Sequence, residues 1–268
     1  MLSRRHISRL GYRPDLPDIR DHHYAPALAV LHSLPPAMEL TVDFSAYNQG
    51  ELGSCTANAL AGAVQFDRRN AHESPDFIPS RLFIYYNERT IEGDVKHDSG
   101  ATLRDGIKSL HKLGVCPESD WPYDYTRPDS ESGAFPPGAL AATKPPANCY
   151  KEALQYVITN YQRVNQDLSH LQGCLASGFP FVFGFVVYDT WLEHPKPPTV
   201  VPMPSDKDKP EGGHAVLCIG YDNSTNLFKI RNSWGVDVGE QGDFYIPYDY
   251  LLDKKLSSDF WVINTVKN

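Results

Sequence analysis

The apolar pattern changes character once along this chain, and that change restricts the fold more than any other feature. From Ser54, SCTANALAGAVQFDRR sets Ala57, Leu60, Ala61 and Val64 at helical spacing behind a serine suited to cap the first turn. RLFIYYNERT (81–90) reads as a second helix. TLRDGIKSLHKLG (102–114) puts Leu103, Ile107 and Leu110 on one face and ends on Gly114, a helix stop. Residues 117–148 have no period and read as a long surface connection; YKEALQYVI (150–158) fits helix or strand; QDLSHLQGCLASG (166–178) reads as a helix ending at Gly178. Beyond it the period becomes that of strands. FPFVFGFVVY (179–188) is almost continuously apolar, and a polar loop with six prolines (189–213) follows. HAVLCIGYD (214–222), LFKIRNSW (227–234), GDFYIPYDYL (242–251) and DFWVINTV (259–266) then read as successive strands. Helices first and strands second predict an α+β fold, with a helical lobe and a sheet lobe.

Charge narrows the function. Lys plus Arg total 25 against 33 Asp plus Glu, a formal net charge of -8, without the basic face of a nucleic-acid binder. The basic cluster RRHISR (4–9) reads as a solvated tail. No apolar run approaches the roughly 20 residues needed to span a membrane. The first residues lack the apolar segment of a secretory signal, so the default expectation is cytoplasmic. Five cysteines, Cys55, Cys116, Cys149, Cys174 and Cys218, leave at least one thiol free. None stands at C-x-x-C spacing, so no metal site is expected. Cys116 with Cys149 is the preferred pair for a disulfide.

Two residues stand where chemistry is expected. Cys55 lies at the start of the first helix, after Gly53-Ser54, where unpaired amides and the helix dipole stabilise a thiolate. The competing reading is a buried cysteine packed as a small hydrophobe. His214 opens a strand after Gly212-Gly213, glycines that let chain or ligand approach closely. It reads either as a structural hydrogen-bonding residue or as a base oriented by a third group. A hairpin would bring Asn232 beside it, its amide oxygen accepting the ring N–H, with Trp234 shielding the pair.

NQGELGSCTANA (48–59), GGHAVLCIGYD (212–222) and IRNSWG (230–235) resemble, in order, the three signatures of the papain family. HDSGATLRDGIKSLHKLGVCPESDWPY (97–123) is similar to the stretch forming one wall of the family's cleft. The resemblance covers roughly residues 35 to 268 and is nearest to the small bacterial branch. It implies a two-lobed fold with the active cleft between a helical lobe (about 50–148) and an antiparallel β-barrel-like lobe (about 149–268, the N-terminal strand crossing over). It implies Cys55 as nucleophile, His214 as general base and then acid, Asn232 as the ring-orienting amide, Gln49 with the Cys55 N–H as oxyanion hole, and Trp234 as the covering indole. Ser99, Gly100 and Gly213 become substrate-binding positions. The implied activity is thiol-dependent hydrolysis of peptide bonds through a thioester, on a peptide or protein substrate and without cofactor. Another acyl transfer, by an amidase or transpeptidase, and an inactive peptide-binding relative are the alternatives.

Departures from the family pattern are Thr56 in place of the usual tryptophan and Leu52 in place of the usual cysteine. The long helical propeptide is also missing. Residues 1–38 occupy its place ahead of a peptidase domain at 39–268. Pro14, Pro17 and Asp15, Asp18 and Asp21 disfavour a regular helix there. The segment is expected to act as an extended inhibitory strap that bonds Gly100, runs opposite to a substrate, and uses Arg20 as an ionic anchor. A disordered or surface-packed arm is the alternative.

Overall fold

The computed structural model describes residues 10–130, 133–192 and 197–264. Its first half holds β1 (His23–Tyr24), α1 (Leu28–Leu31), β2 (Ala37–Glu39), α2 (Cys55–Asn70), α3 (Arg81–Glu92) and α4 (Leu103–Leu113). The second half holds α5 (Ala147–Ala153), β3 (Asn160–Val164), α6 (Leu168–Ala176), β4 (Phe181–Tyr188), α7 (Asp189–Leu192), β5 (Pro210–Asp222), β6 (Leu227–Arg231), β7 (Asp243–Pro247), α8 (Tyr248–Leu252) and β8 (Ser257–Asn264).

Local chemistry fixes the ends of α3 and α4. Ser80 Oγ accepts the Phe83 amide at 3.2 Å and starts α3, and Gly93 at φ 80° stops it. Thr102 Oγ1 accepts the Asp105 amide at 3.3 Å, and Gly114 at φ 71° ends α4. Ser54 departs from expectation. Its hydroxyl makes no cap bond, because it is engaged by the Tyr123 hydroxyl at 2.7 Å and by Asn58 Nδ2 at 3.1 Å. The amides at the start of α2 are therefore not covered by their own cap.

The sheet runs β1-β3-β8-β4-β5-β6-β7, with β2 added on β5. All its pairs are antiparallel except β1 with β3. It stays open, with β1 and β7 at its ends, where a barrel-like lobe was expected. β4 lies centrally and is apolar on both faces because both are covered. Val182 and Leu217 face the helical core with Leu60, Val64 and Ile107. Phe181, Phe183 and Phe185 face the second core, where Phe183 stacks on Phe260 at 5.3 Å between centroids. Each buried phenylalanine contributes about 1.5–3 kcal/mol of hydrophobic free energy. The alanines and Gly62 of α2 let it pack close against the sheet, and a Cβ on Gly62 would touch Leu217 at 3.6 Å.

Several expectations are corrected. The strand expected over 242–251 ends at Pro247, which cannot donate to the ladder, and the chain turns into α8. The 150–158 segment is the end of α5 and a loop, and β3 was not foreseen. No disulfide joins Cys116 and Cys149, since all five cysteines are free. The two thiols are hydrogen-bonded to each other, and burial raises both pKa values, which disfavours the thiolate that would attack. Among the described residues no helix is long and apolar enough to cross a membrane.

The N-terminal segment is not a free arm over its described part, and the RRHISR cluster lies outside the described residues. The expected boundary after residue 38 falls inside β2, whose pairing with β5 ties it to the sheet. Arg20 is not the anchor. It is exposed and bonds Asp18 within the segment, at 2.6 and 2.8 Å. Asp15 and Asp21 take that role. Asp21 receives both Arg104 terminal nitrogens, at 2.6 and 2.7 Å, and Arg163 Nε at 2.8 Å.

Candidate active site

The turn before α2 is held from several directions. The Gly53 amide donates to both Asp98 carboxylate oxygens at 3.1 Å. The Tyr123 hydroxyl donates to the Gln49 carbonyl at 2.9 Å, and Arg81 Nη1 donates to the Asn48 carbonyl at 3.0 Å while its Cζ lies 3.9 Å from the Tyr123 ring centroid. The Gln49 amide crosses to the Ser233 carbonyl at 2.8 Å, joining this turn to the chain after β6. Gln49 itself is fully buried. Its Oε1 accepts the Ser233 hydroxyl at 2.6 Å and its Nε2 donates to the Leu52 carbonyl at 2.7 Å. Both ends of the amide are thus oriented.

On the sheet side, His214 of β5 lies opposite Phe185 of β4. Its Nε2 is 2.9 Å from Asn232 Oδ1. The same oxygen accepts the Ser233 backbone N–H at 2.8 Å, which fixes it as the oxygen end of the amide. Nε2 therefore carries the ring proton, and Nδ1 is left as the basic nitrogen. Trp234 stacks over the imidazole at 4.8 Å between centroids, and Trp191 stacks on Trp234 at 5.3 Å. The hairpin expected to bring His214, Asn232 and Trp234 together does so.

Cys55 is fully buried at the start of α2. Residues 10–13 run past it between the two lobes. The Tyr12 amide donates to the Gly213 carbonyl at 3.0 Å, the Ala101 amide to the Gly11 carbonyl at 2.8 Å, and the Arg13 amide to the Ala101 carbonyl at 2.9 Å. The segment thus pairs, in parallel, with Ala101, one residue beyond Gly100. Gly100, at φ 64°, donates its amide to the Tyr85 hydroxyl at 3.3 Å, and Ser99 Oγ bonds the Gly100 carbonyl at 3.3 Å. A Cβ on Gly100 would lie 1.9 Å from the Gly11 carbonyl, so only glycine admits the segment there.

This packing reverses the expected electrostatics of the thiol. Burial pushes the Cys55 pKa up to about 11, with the Glu88 carboxylate adding to the rise, against backbone hydrogen bonds from Ala215, Gly11 and Thr56 that lower it. In this arrangement the sulfur is a neutral thiol. Thr56, in the place of the family's tryptophan, donates to buried Glu88 at 2.7 Å. Sequence reasoning missed Ser233, Tyr123, Asp98 and Trp191. Ser233 lies within IRNSWG, and Asp98 and Tyr123 lie within the wall-like stretch, so those motifs carried their signal; Trp191 shows no local signal.

The papain family cysteine protease profile matches residues 42–253. A solved structure of xylellain, a cysteine protease from Xylella fastidiosa, is 57% identical, covers 100% of both chains and superposes with a TM-score of 0.95. An uncharacterized peptidase C1-like protein of Acanthamoeba polyphaga mimivirus is 40% identical over 83% of this chain and 70% of its own length. Procathepsin B from Trypanosoma congolense, 14% identical with a TM-score of 0.71 over 97% of this chain and 87% of that one, shares the fold. The two-lobed α+β fold, the family match and these relatives agree, and the chain belongs to the papain family of cysteine proteases.

Proposed function

We propose that Cys55, His214, Asn232 and Gln49 carry thiol-dependent hydrolysis of peptide bonds through a thioester. The observation that carries this reading is the His214 ring held by Asn232, with its proton on Nε2. Nδ1 takes the thiol proton, and the sulfur attacks the peptide carbonyl. The Gln49 side-chain amide and the Cys55 N–H receive the charge that develops on oxygen. The imidazolium then protonates the leaving amine, and the same ring activates the water that hydrolyses the thioester. Asn232 holds the ring in one tautomer throughout, under the cover of Trp234. Gly100, Ser99 and Gly213 line the path a peptide takes.

In this reading residues 39–268 are the peptidase unit, with a helical lobe at about 50–148 and a sheet lobe at about 149–268. Residues 1–38 are its intramolecular inhibitor. Support comes from the hydrogen bonds of Gly11, Tyr12 and Arg13 inside the cleft and from the burial of Cys55 beneath them. A tethered segment needs little intrinsic affinity, because its local concentration can be of millimolar order.

The test uses a fluorogenic dipeptide substrate with and without an epoxide thiol inhibitor. Hydrolysis abolished by the inhibitor and by Cys55→Ala, with the fold retained, is the expected result. Hydrolysis that survives Cys55→Ala in protease-free preparations overturns the assignment.

A further inference from the structure

Asp15, Asp18 and Asp21 stand three residues apart, and all three reach Arg104, at 4.0, 3.6 and 2.6 Å. The Asp21 amide donates to the Asp18 carbonyl at 3.2 Å, a turn that brings both carboxylates to the same arginine. The residues between them face away. Leu16, Pro17, Ile19 and Arg20 are exposed, Leu16 at 83% and Ile19 completely. The body therefore holds this stretch by its carboxylates and not by its apolar side chains.

The receiving surface belongs to the body. Arg104 lies in the first turn of α4, Arg163 in β3 and Trp261 in β8. Both guanidinium groups lie over the Trp261 ring, with Cζ 5.5 and 4.4 Å from its centroid. Asp259 holds Arg163 from β8, accepting Nη1 at 2.8 Å. None of these contacts involves the N-terminal segment, so the surface is organised without it, which lowers the cost of receiving a ligand. Withdrawal of the segment frees the Arg104 amide at the helix start, both Arg104 terminal nitrogens, Arg163 Nε and Nη2, and the Trp261 indole N–H, each of which now donates to Asp15 or Asp21. Arg104 Nε is buried and makes no hydrogen bond even with the segment in place. Two guanidinium charges then face the single carboxylate of Asp259, a positive surplus on a chain whose formal net charge is -8.

We propose that Arg104, Arg163 and Trp261 form an exosite for an acidic stretch of a protein substrate, with carboxylates three residues apart, which the N-terminal segment covers by presenting Asp15, Asp18 and Asp21. The proposal rests on the peptidase reading for its substrate but not for its anion site. A guanidinium fork receives a carboxylate through two parallel bonds, as Arg104 does with Asp21, and an amide in the same place leaves the charge unpaired. An acidic substrate competes with the segment for this surface. It gains affinity from the arginines and displaces the inhibitor in the same event, and a neutral substrate does neither.

Two experiments on the full chain test this. In the first, Cys55→Ala prevents turnover, and fluorescence anisotropy follows a labelled peptide with three Asp residues, each three apart, among Gly and Ser. Its counterpart carries Asn at the same positions. The Asp peptide should bind and the Asn peptide should not. Asp15→Ala with Asp21→Ala should tighten binding of the Asp peptide by about 10-fold or more, since charge-assisted hydrogen bonds are released to it, and Arg104→Gln should remove the binding. Equal binding of the two peptides, binding that survives Arg104→Gln, or no binding to the doubly substituted chain overturns the proposal. If the doubly substituted chain does not fold, Asp21→Ala alone should tighten binding in the same direction, and an unchanged affinity overturns it. In the second, kcat/KM is measured for substrates with one cleaved sequence, extended at either end by the Asp or the Asn stretch. The Asp substrate should be favoured through KM by about 10-fold, an advantage that falls with added salt and approaches unity in Arg104→Gln. A surface that serves the segment alone gives equal values for the two substrates in wild type, which overturns the exosite and leaves the peptidase intact. Binding of the Asp peptide to Cys55→Ala, with neither substrate cleaved by wild type, overturns the peptidase reading and leaves the anion site.

Discussion

Asp15 buries its carboxylate against Trp261, whose indole N–H donates to Asp15 Oδ2 at 2.9 Å. Around this contact the N-terminal segment is locked to both halves of the body. The Arg104 amide donates to Asp15 Oδ1 at 3.0 Å from the start of α4, and Arg163 Nη2 donates to Asp15 Oδ2 at 3.1 Å from β3. The Asp15 amide in turn donates to Asp259 Oδ2 at 2.7 Å.

Asp21→Asn should loosen this lock without touching the cleft, because Asp21 bonds only the cationic side chains of Arg104 and Arg163 among the described contacts of its carboxylate. Breaking a buried charge pair by removing one partner costs about 3–5 kcal/mol, discounted here because the other acidic groups remain. Labelling of Cys55 by a thiol-reactive inhibitor should speed up several-fold. Arg20→Ala, which removes only the exposed pair with Asp18, should leave the rate unchanged. Equal rates for Asp21→Asn and wild type would show that the lock does not hold the segment.

The lock also titrates. Burial, then the neighbouring Asp259, raises the Asp15 pKa to about 6, against hydrogen bonds from Arg104 and Trp261. A carboxyl raised on docking binds its proton more tightly docked than free. Docking is therefore strongest below the free value and weakens as pH rises towards 6. The ratio of Cys55 labelling in wild type to that in Asp15→Asn should rise between about pH 4 and pH 6, then level off. A ratio independent of pH would remove Asp15 from the control of docking.

The parts of this molecule legible in sequence are those set by local pattern. α2, α3 and α4 follow from apolar spacing and a terminal glycine, and the His214–Asn232 contact follows from a hairpin between neighbouring strands. Long-range partners left no such trace. Asp15 reads as a turn residue because nothing near it in sequence announces Arg163 or Trp261. Arg20 looked like the anchor because it stands among carboxylates, yet a short loop lets it satisfy Asp18 two residues away. Ser54 looked like a cap because its preference is local, while Tyr123, far along the chain, takes its hydroxyl.

Gln49→Ala should lower kcat by about 10²-fold with little change in KM, the cost of one oxyanion donor. Ser233→Ala leaves the donor but frees its Oε1 from a 2.6 Å bond, so its loss of kcat should be smaller. A raised KM with unchanged kcat in Gln49→Ala would make this residue a substrate-binding group only.

Asn232→Ala should reduce activity less than Cys55→Ala, since the imidazole loses its orienting bond but remains stacked on Trp234 and in edge-on contact with Phe185. Steady-state kinetics on folded protein decide this. A loss equal to that of Cys55→Ala would assign Asn232 more than orientation.

The Cys55 thiol itself should respond to the segment that covers it. Its pKa of about 11 is set first by burial, and part of that burial is the segment at Gly11. Withdrawing the segment lets water reach the sulfur, which favours the thiolate and lowers the pKa. It also removes the Gly11 hydrogen bond, which acts in the opposite direction but ranks below burial among the causes. The start of α2 then stabilises the anion through amides that Ser54 does not cap. The net shift is downward. The pH profile of Cys55 alkylation in full-length Tyr12→Ala should therefore move to lower pH than in wild type, with a faster rate at neutral pH. Cys116, Cys149, Cys174 and Cys218 are buried elsewhere and should stay unlabelled in both. A profile that gains rate without moving along the pH axis would mean that the segment only blocks access and does not set the ionisation of the thiol.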